Sequence, residues 1–287
     1  MKRIYITDLD YTLLDSRAQL SEKTLCGLEK INESDIDFTV ASARSVKSMQ
    51  TILTETTFRL LVIELNGAFI SHLNNGEHIV VNSIKRDIVD NVLNYTESIG
   101  LDTFYSTFNG KKDLLYFPEI TNAGQEWYYS DRIRNQDPRT QENKYSFSKE
   151  GTDSIVCLTY IDSFENLKPL EEYLLNCPFF KEISIYFFEN NYSKDWCWIN
   201  IHSAKSQKHL AIKDLLILTN KEDHEVIVFG DAINDVSMFK VADRCYAVSN
   251  TDEEIKELAT GVIGHHEDDA VIEFILKDTG LYIKGNG

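Results

Sequence analysis

Two short apolar runs near opposite ends of the chain, each leading straight into acid, limit this sequence more than any other feature. Arg3–Thr7 (RIYIT) is β-branched and aromatic and runs into Asp8-Leu9-Asp10. Residues 225–229 (EVIVF) run into Gly230-Asp231-Ala232-Ile233-Asn234-Asp235. A short apolar run without polar alternation predicts a strand buried on both faces, as in a parallel sheet covered by helices. In such sheets ligands bind at the carboxyl ends of the strands, beside the point where strand order reverses.

The runs between these ends sort into three blocks. After the first strand, Ser21 precedes a helical pattern with Leu25, Leu28 and Ile31 on one face. Residues 36–41 (IDFTVA) read as a second strand, 45–53 as a helix and 60–65 as a third strand. This alternation predicts a doubly wound α/β domain. Residues 69–81 then read as a hairpin with a type I′ turn at Asn75-Gly76. Ile84, Ile88, Val92, Tyr95 and Ile99 follow at helical spacing, with Gly100 as the stop. Strands are predicted at 103–106, 114–117, 154–161 and 183–189, with a helix at 164–175; residues 118–151 carry no clear period. The first pattern resumes with a strand at 196–202, a helix at 206–218, the 225–229 strand, a helix near 235–241, a strand at 246–248 and a helix from Thr251. The expected organisation is a core from 1–82 and 196–287, with an α+β module at 83–195 inserted.

Composition removes several classes of function. With 43% hydrophobic and 26% charged residues the chain has the material for a sizeable core, and its formal net charge is −17. So acidic a chain argues against a general nucleic-acid binder, which needs a basic face. The five cysteines are widely spaced, odd in number and without a C-x-x-C pair, which predicts reduced, buried thiols. No run reaches the length of a membrane span, and the first residues do not read as a signal peptide, so a cytoplasmic protein without membrane partners is expected. Neither G-x-S-x-G nor a Walker-type phosphate loop is present.

The acids carry the chemistry. One aspartate past a strand is commonly a cap or turn residue. That reading explains poorly why Asp8, Asp10 and Thr12 share one strand mouth. Neighbouring parallel strands lie about 5 Å apart, which allows Asp231 to stand beside Asp8. Close carboxylates repel unless a cation neutralises them, and hard oxygen donors completed by water and substrate suit Mg²⁺.

The pattern D-x-D-x-T-L at residues 8–13 with G-D-x-x-N-D at 230–235 resembles the haloacid dehalogenase superfamily. Within it the chain looks most like the Cof-type sugar-phosphate phosphatases, whose large cap is inserted after the third core strand. The resemblance covers about 1–82 and 196–287. It implies a Rossmann-like core with an α+β cap that sets specificity, and hydrolysis of a small phosphorylated metabolite with Mg²⁺. Asp8 is then the nucleophile, Asp10 the general acid and base, and Thr12 a support of their loop. Asp8, the backbone carbonyl of Asp10, and Asp231 become the metal ligands, with Asn234 and Asp235 behind them. Ser42 matches a phosphate-oxygen donor, and Ala43-Arg44 stands where relatives show Gly-Arg. Taken alone, Ser42 is a helix N-cap, and Arg44 serves a substrate or simply starts a helix. Lys208, in K-H-L-A-I, matches the expected active-site lysine, with Lys205 as its competitor. Asn66 of Asn66-Gly67-Ala68 meets substrate or simply forms a turn, and Asn250 matches a position near the metal loop.

The resemblance also admits a phosphomutase or a catalytically silent regulatory protein, as a monomer or small homo-oligomer. Tyr116, Trp127, Tyr128 and Tyr129 are either pocket-lining or core. His265-His266 reads as a solvated polar loop.

Overall fold

Strands and helices follow the predicted alternation closely at both ends of the chain. The computed structural model describes residues 2–54, 56–140, 153–189 and 195–281. In chain order the elements begin β1 (Arg3–Thr7), α1 (Glu22–Glu33), β2 (Asp37–Val40), α2 (Val46–Ile52), β3 (Val62–Glu64), β4 (Phe69–Ser71) and β5 (His78–Val81). They continue α3 (Arg86–Ser98), β6 (Phe104–Phe108), β7 (Asp113–Tyr116), α4 (Ala123–Arg134), β8 (Ser154–Asp162), α5 (Phe164–Asn176), β9 (Ile183–Glu189) and β10 (Cys197–Ser203). The last are α6 (Lys208–Leu218), β11 (Glu225–Gly230), α7 (Val236–Phe239), β12 (Arg244–Ala247), α8 (Glu253–Lys256), β13 (Gly261–Val262) and α9 (Ala270–Asp278). The chain divides into one unit of Met1–Val80 with Gln207–Gly287 and a second of Val81–Ser206.

The first unit is built on a parallel sheet in the order β13-β12-β11-β1-β2. β1 lies between β2 and β11, so the chain leaves it to one side and returns on the other. The reversal between β1 and β11 is the switch point that favours a ligand crevice. Tyr5, Ile227 and Phe229 pack against α1 and α9 on one face, while Ile4, Ile6, Val226 and Val228 pack against α6 and α7 on the other. Double burial of β1 and β11 explains their unbroken apolar runs. Ser21 caps α1 by accepting from the Thr24 amide at 3.0 Å.

The third predicted strand differs from expectation. β3 meets the parallel sheet through the parallel Ala41–Ile63 bridge, and its ladder partners lie in a separate three-stranded sheet in the order β3-β4-β5. The β4–β5 turn is also not type I′: Gly76 has a positive φ of 71° but Asn75 does not. A longer loop closes at His72, whose N–H donates to the Glu77 carbonyl and whose carbonyl accepts from the Gly76 amide, both at 2.9 Å.

The second unit holds an antiparallel sheet in the order β7-β6-β8-β10-β9. The expectation that 196–202 resumes the parallel core is therefore corrected: β10 pairs with β8 and β9. The physical reason is its two-faced pattern, with Ile199 and Ile201 in one cluster and Trp198 in another. The unassigned stretch contains α4, capped by Asn122, whose side chain accepts from the Gln125 amide at 2.9 Å. Trp127, Tyr128 and Tyr129 of α4 pack on Phe104, Phe117 and Trp198 as core. Residues 141–151 of that stretch lie outside the described residues. Cys26 is exposed, against the expectation of burial, and all five cysteines are free. No helix among the described residues is long and apolar enough to cross a membrane.

Candidate active site

The two acidic loops converge within the first unit. Thr7 pairs with Phe229 in register, and the next amide, Asp8 N–H, donates to the Phe229 carbonyl at 3.0 Å. Asp8 and Asp231 thus leave adjacent strand ends side by side. Carboxylate oxygens of Asp8, Asp231 and Asp235 all lie within 4.8 Å of one another.

Lys208, in the first turn of α6, is buried between two of them. Its Nζ donates to Asp8 Oδ1 at 2.5 Å and to Asp235 Oδ1 at 2.7 Å. The competing Lys205 is exposed. Asp235 is completely buried, and its second oxygen accepts from the amides of Asp231 and Ala232 at 3.0 and 3.1 Å. It therefore shapes the loop that presents Asp231. Gly230 makes room for it, since a Cβ there would lie 2.5 Å from the Cβ of Asp235. Thr12 donates to Asp231 Oδ1 at 2.7 Å, and the Thr251 hydroxyl donates to the Asp231 carbonyl.

The remaining predicted residues gather on neighbouring loops. Ser42 is buried, and its Oγ accepts from the Arg44 amide at 3.1 Å. Ala43 is exposed beside it. Arg44 stands just before the α2 N-cap, donates to Ser48 Oγ at 3.1 Å, and grips Asp10 with both arms, Nε to Oδ2 at 2.7 Å and Nη2 to Oδ1 at 2.5 Å. Asn234 Nδ2 donates to Asn66 Oδ1 at 3.3 Å, which ties the third loop to the Asp231 loop. Asn250 Nδ2 donates to the Tyr11 carbonyl at 3.0 Å, holding a residue whose φ is +55°. His266 overturns the expected solvated loop, because it is buried with Nδ1 2.8 Å from the Leu14 carbonyl oxygen; His265 is exposed.

Electrostatics distinguish these acids from ordinary ones. Burial, reinforced by Asp235, Asp231 and Asp10 and opposed by Lys208, holds the Asp8 carboxyl well above its usual range. Burial and then the Asp235 charge push Asp231 up to about 7. Burial works against the Lys208 charge, but Asp235 and Asp8 outweigh it and raise its pKa. The site thus has more negative charge than its own cations neutralise. Asp8 spends one oxygen on Lys208 and Asp231 one on Thr12, so the second oxygen of each suits a small hard cation. The donor set fits Mg²⁺. Asp235 meets the cluster but has both oxygens engaged, and the Asp10 side chain is turned to Arg44.

A family model described as haloacid dehalogenase-like hydrolase matches residues 5–275. The chain belongs to that family. Phosphatase YwpJ of Bacillus subtilis is 28% identical to this hydrolase over 277 residues, covering 91% of the chain and 94% of YwpJ. A second relative, the 5-amino-6-(5-phospho-D-ribitylamino)uracil phosphatase YwtE of the same organism, is 24% identical, covering 96% of the chain and 97% of that protein. Among solved structures, a Thermotoga maritima protein superposes with a TM-score of 0.76 at 25% identity, covering 97% of each chain.

Proposed function

We propose that this hydrolase is a Mg²⁺-dependent phosphatase that cleaves a small phosphomonoester, a sugar phosphate or related metabolite, through an aspartyl-phosphate on Asp8. The observation that carries the reading is the cluster of Asp8, Asp231 and Asp235 at one switch point, with Lys208 buried between Asp8 and Asp235. The phosphatase names of the relatives support the same substrate class.

Asp8, Asp231 and the Asp10 carbonyl would hold the cation, which when bound offsets negative charge on the acids and on a phosphoryl group. Lys208 keeps an Asp8 oxygen oriented and favours its charged form against the burial that opposes it. Asp8 attacks phosphorus, the bond to the ester oxygen breaks, and Asp10 gives that oxygen its proton. Asp10 then takes a proton from water as the water attacks phosphorus, which frees inorganic phosphate and restores Asp8. Ser42 spends an oxygen lone pair on the Arg44 amide and keeps its hydroxyl proton for a phosphate oxygen. Both Asp10 oxygens are held by Arg44, so Asp10 meets a leaving oxygen only when Arg44 lets go. A phosphate is the anion that would draw the guanidinium away.

The test is phosphate release from p-nitrophenyl phosphate with Mg²⁺ and with chelator. Release with Mg²⁺ alone is expected. A chain inert with Mg²⁺ towards this ester and a panel of sugar phosphates would contradict the reading. Conversion of one sugar phosphate into its isomer without phosphate release would point to a mutase.

A further inference from the structure

The backbone after β3 holds three consecutive residues in the left-handed region: Leu65 (φ 47°), Asn66 (φ 56°) and Gly67 (φ 97°). A leucine there persists only where its surroundings over-determine it, and such strain collects at functional sites. Here the strained turn is spent on residues 42–46. Asn66 N–H donates to the Ser42 carbonyl and Leu65 N–H to the Arg44 carbonyl, both at 3.0 Å. Glu64, completely buried, adds a third bond by accepting from the Val46 amide. Val46 opens α2, where an amide has no acceptor within its own helix.

A carboxylate in the interior needs partners of its own. Glu64 Oε1 accepts from the Ser71 hydroxyl and lies 3.1 Å from His78 Nδ1; that nitrogen is 2.6 Å from Ser71 Oγ. The His78 ring stacks on Phe69 with centroids 4.0 Å apart. The trio has the composition of a hydrolytic triad but not its geometry. A triad uses opposite ring nitrogens for serine and acid, whereas here Nδ1 faces both, and Ser71 is wholly buried.

We propose that Glu64 is a positioning residue, a buried carboxylate held by Ser71 and His78 that fixes the 42–46 loop and so sets how Ser42 and Arg44 meet a phosphoryl group. This rests on the phosphatase reading above. Glu64→Leu removes both acceptors, Glu64→Gln keeps an oxygen for the Val46 amide, and His78→Phe removes one partner while keeping the stack on Phe69. The full chain with Mg²⁺ is assayed for kcat and KM on p-nitrophenyl phosphate, for inhibition by inorganic phosphate, and for amide hydrogen exchange.

Glu64→Leu is expected to raise KM and the phosphate inhibition constant about tenfold each, with a smaller loss of kcat, and Glu64→Gln to stay within about twofold of wild type. Exchange should quicken across 42–48 and not in β11. If Glu64→Leu fails to fold, His78→Phe decides, with KM up about threefold and the same local exchange. A folded variant with wild-type KM, phosphate inhibition and 42–48 exchange overturns the inference. So does a loss confined to kcat that Glu64→Gln does not rescue. A wild-type chain that releases no phosphate overturns the functional reading and this inference with it; an active wild type beside an unchanged variant overturns this inference alone.

Discussion

The two ends of the parallel sheet carry charge clusters of opposite character. At the amino ends of β1, β11 and β12, Arg3 and Arg244 meet Glu225 and Asp278 in paired contacts. Arg3 Nε lies 3.0 Å from Glu225, Arg244 Nη2 lies 2.9 Å from Asp278, and the Tyr5 hydroxyl donates to Asp278 at 2.7 Å. Cations and acids match there, and the Arg244 hydrogen bond holds Asp278 below the usual carboxylate range. At the carboxyl ends of the same strands, four acids, Asp8, Asp10, Asp231 and Asp235, gather with the cations Lys208 and Arg44, and burial raises Asp8 and Asp231. A matched cluster stabilises the fold as it stands. An unmatched one costs stability unless something cationic binds, and such sites are where chemistry is done.

Substitutions at the two ends should therefore separate activity from stability. The largest effect is expected at Asp8: Asp8→Asn lowers Mg²⁺-dependent turnover about 10⁴-fold or more, while the melting temperature without Mg²⁺ stays level or rises. Turnover near wild type, or loss of folding, would erase the contrast. Next, Asp231→Asn should raise the Mg²⁺ concentration for half-maximal activity at least about tenfold, read from an activity titration. An unchanged titration would remove Asp231 from the metal site.

Proton linkage sharpens the contrast further. Asp231 is about 7 in the folded chain and near 4 when unfolded, so the native state binds the extra proton between those values. Without a cation this residue's contribution to stability falls as pH rises through that window. Mg²⁺ favours the ionised form, so the rise in melting temperature on adding Mg²⁺ should be larger at pH 8 than at pH 5. A gain independent of pH would contradict the assignment. Asp278 has the opposite sign: its stabilisation is present above the unfolded pKa and is lost as pH falls through its lowered folded value. The smallest effect is expected from Asp278→Asn, a loss of about 2–4 °C in melting temperature with kcat within about twofold of wild type.

Sequence reading reached the active-site loops more readily than the boundaries of the inserted unit. Asp8 and Asp231 are legible because double-sided burial makes β1 and β11 read as apolar runs, and acids at their ends stand out, whereas Lys208 is singled out only by the resemblance of its K-H-L-A-I segment to the family pattern. Cys197–Ser203 mixes apolar and polar residues as a two-faced antiparallel strand does, a difference from 225–229 that its assignment to the resumed core pattern leaves out. α4 leaves no clear period in the sequence because Trp127, Tyr128 and Tyr129 are consecutive and blur the helical spacing. The Arg44–Asp10 grip and the burial of Glu64 depend on contacts 34 and 18 residues apart, which no local pattern encodes.

The central claim is that Asp8 accepts the phosphoryl group. Its most direct test is acid quenching of the Mg²⁺-loaded chain during turnover, followed by mass spectrometry of its peptides. The account predicts one phosphoryl group on the peptide carrying Asp8, absent from Asp8→Asn and discharged on standing. Steady phosphate release with that peptide always unmodified would contradict it.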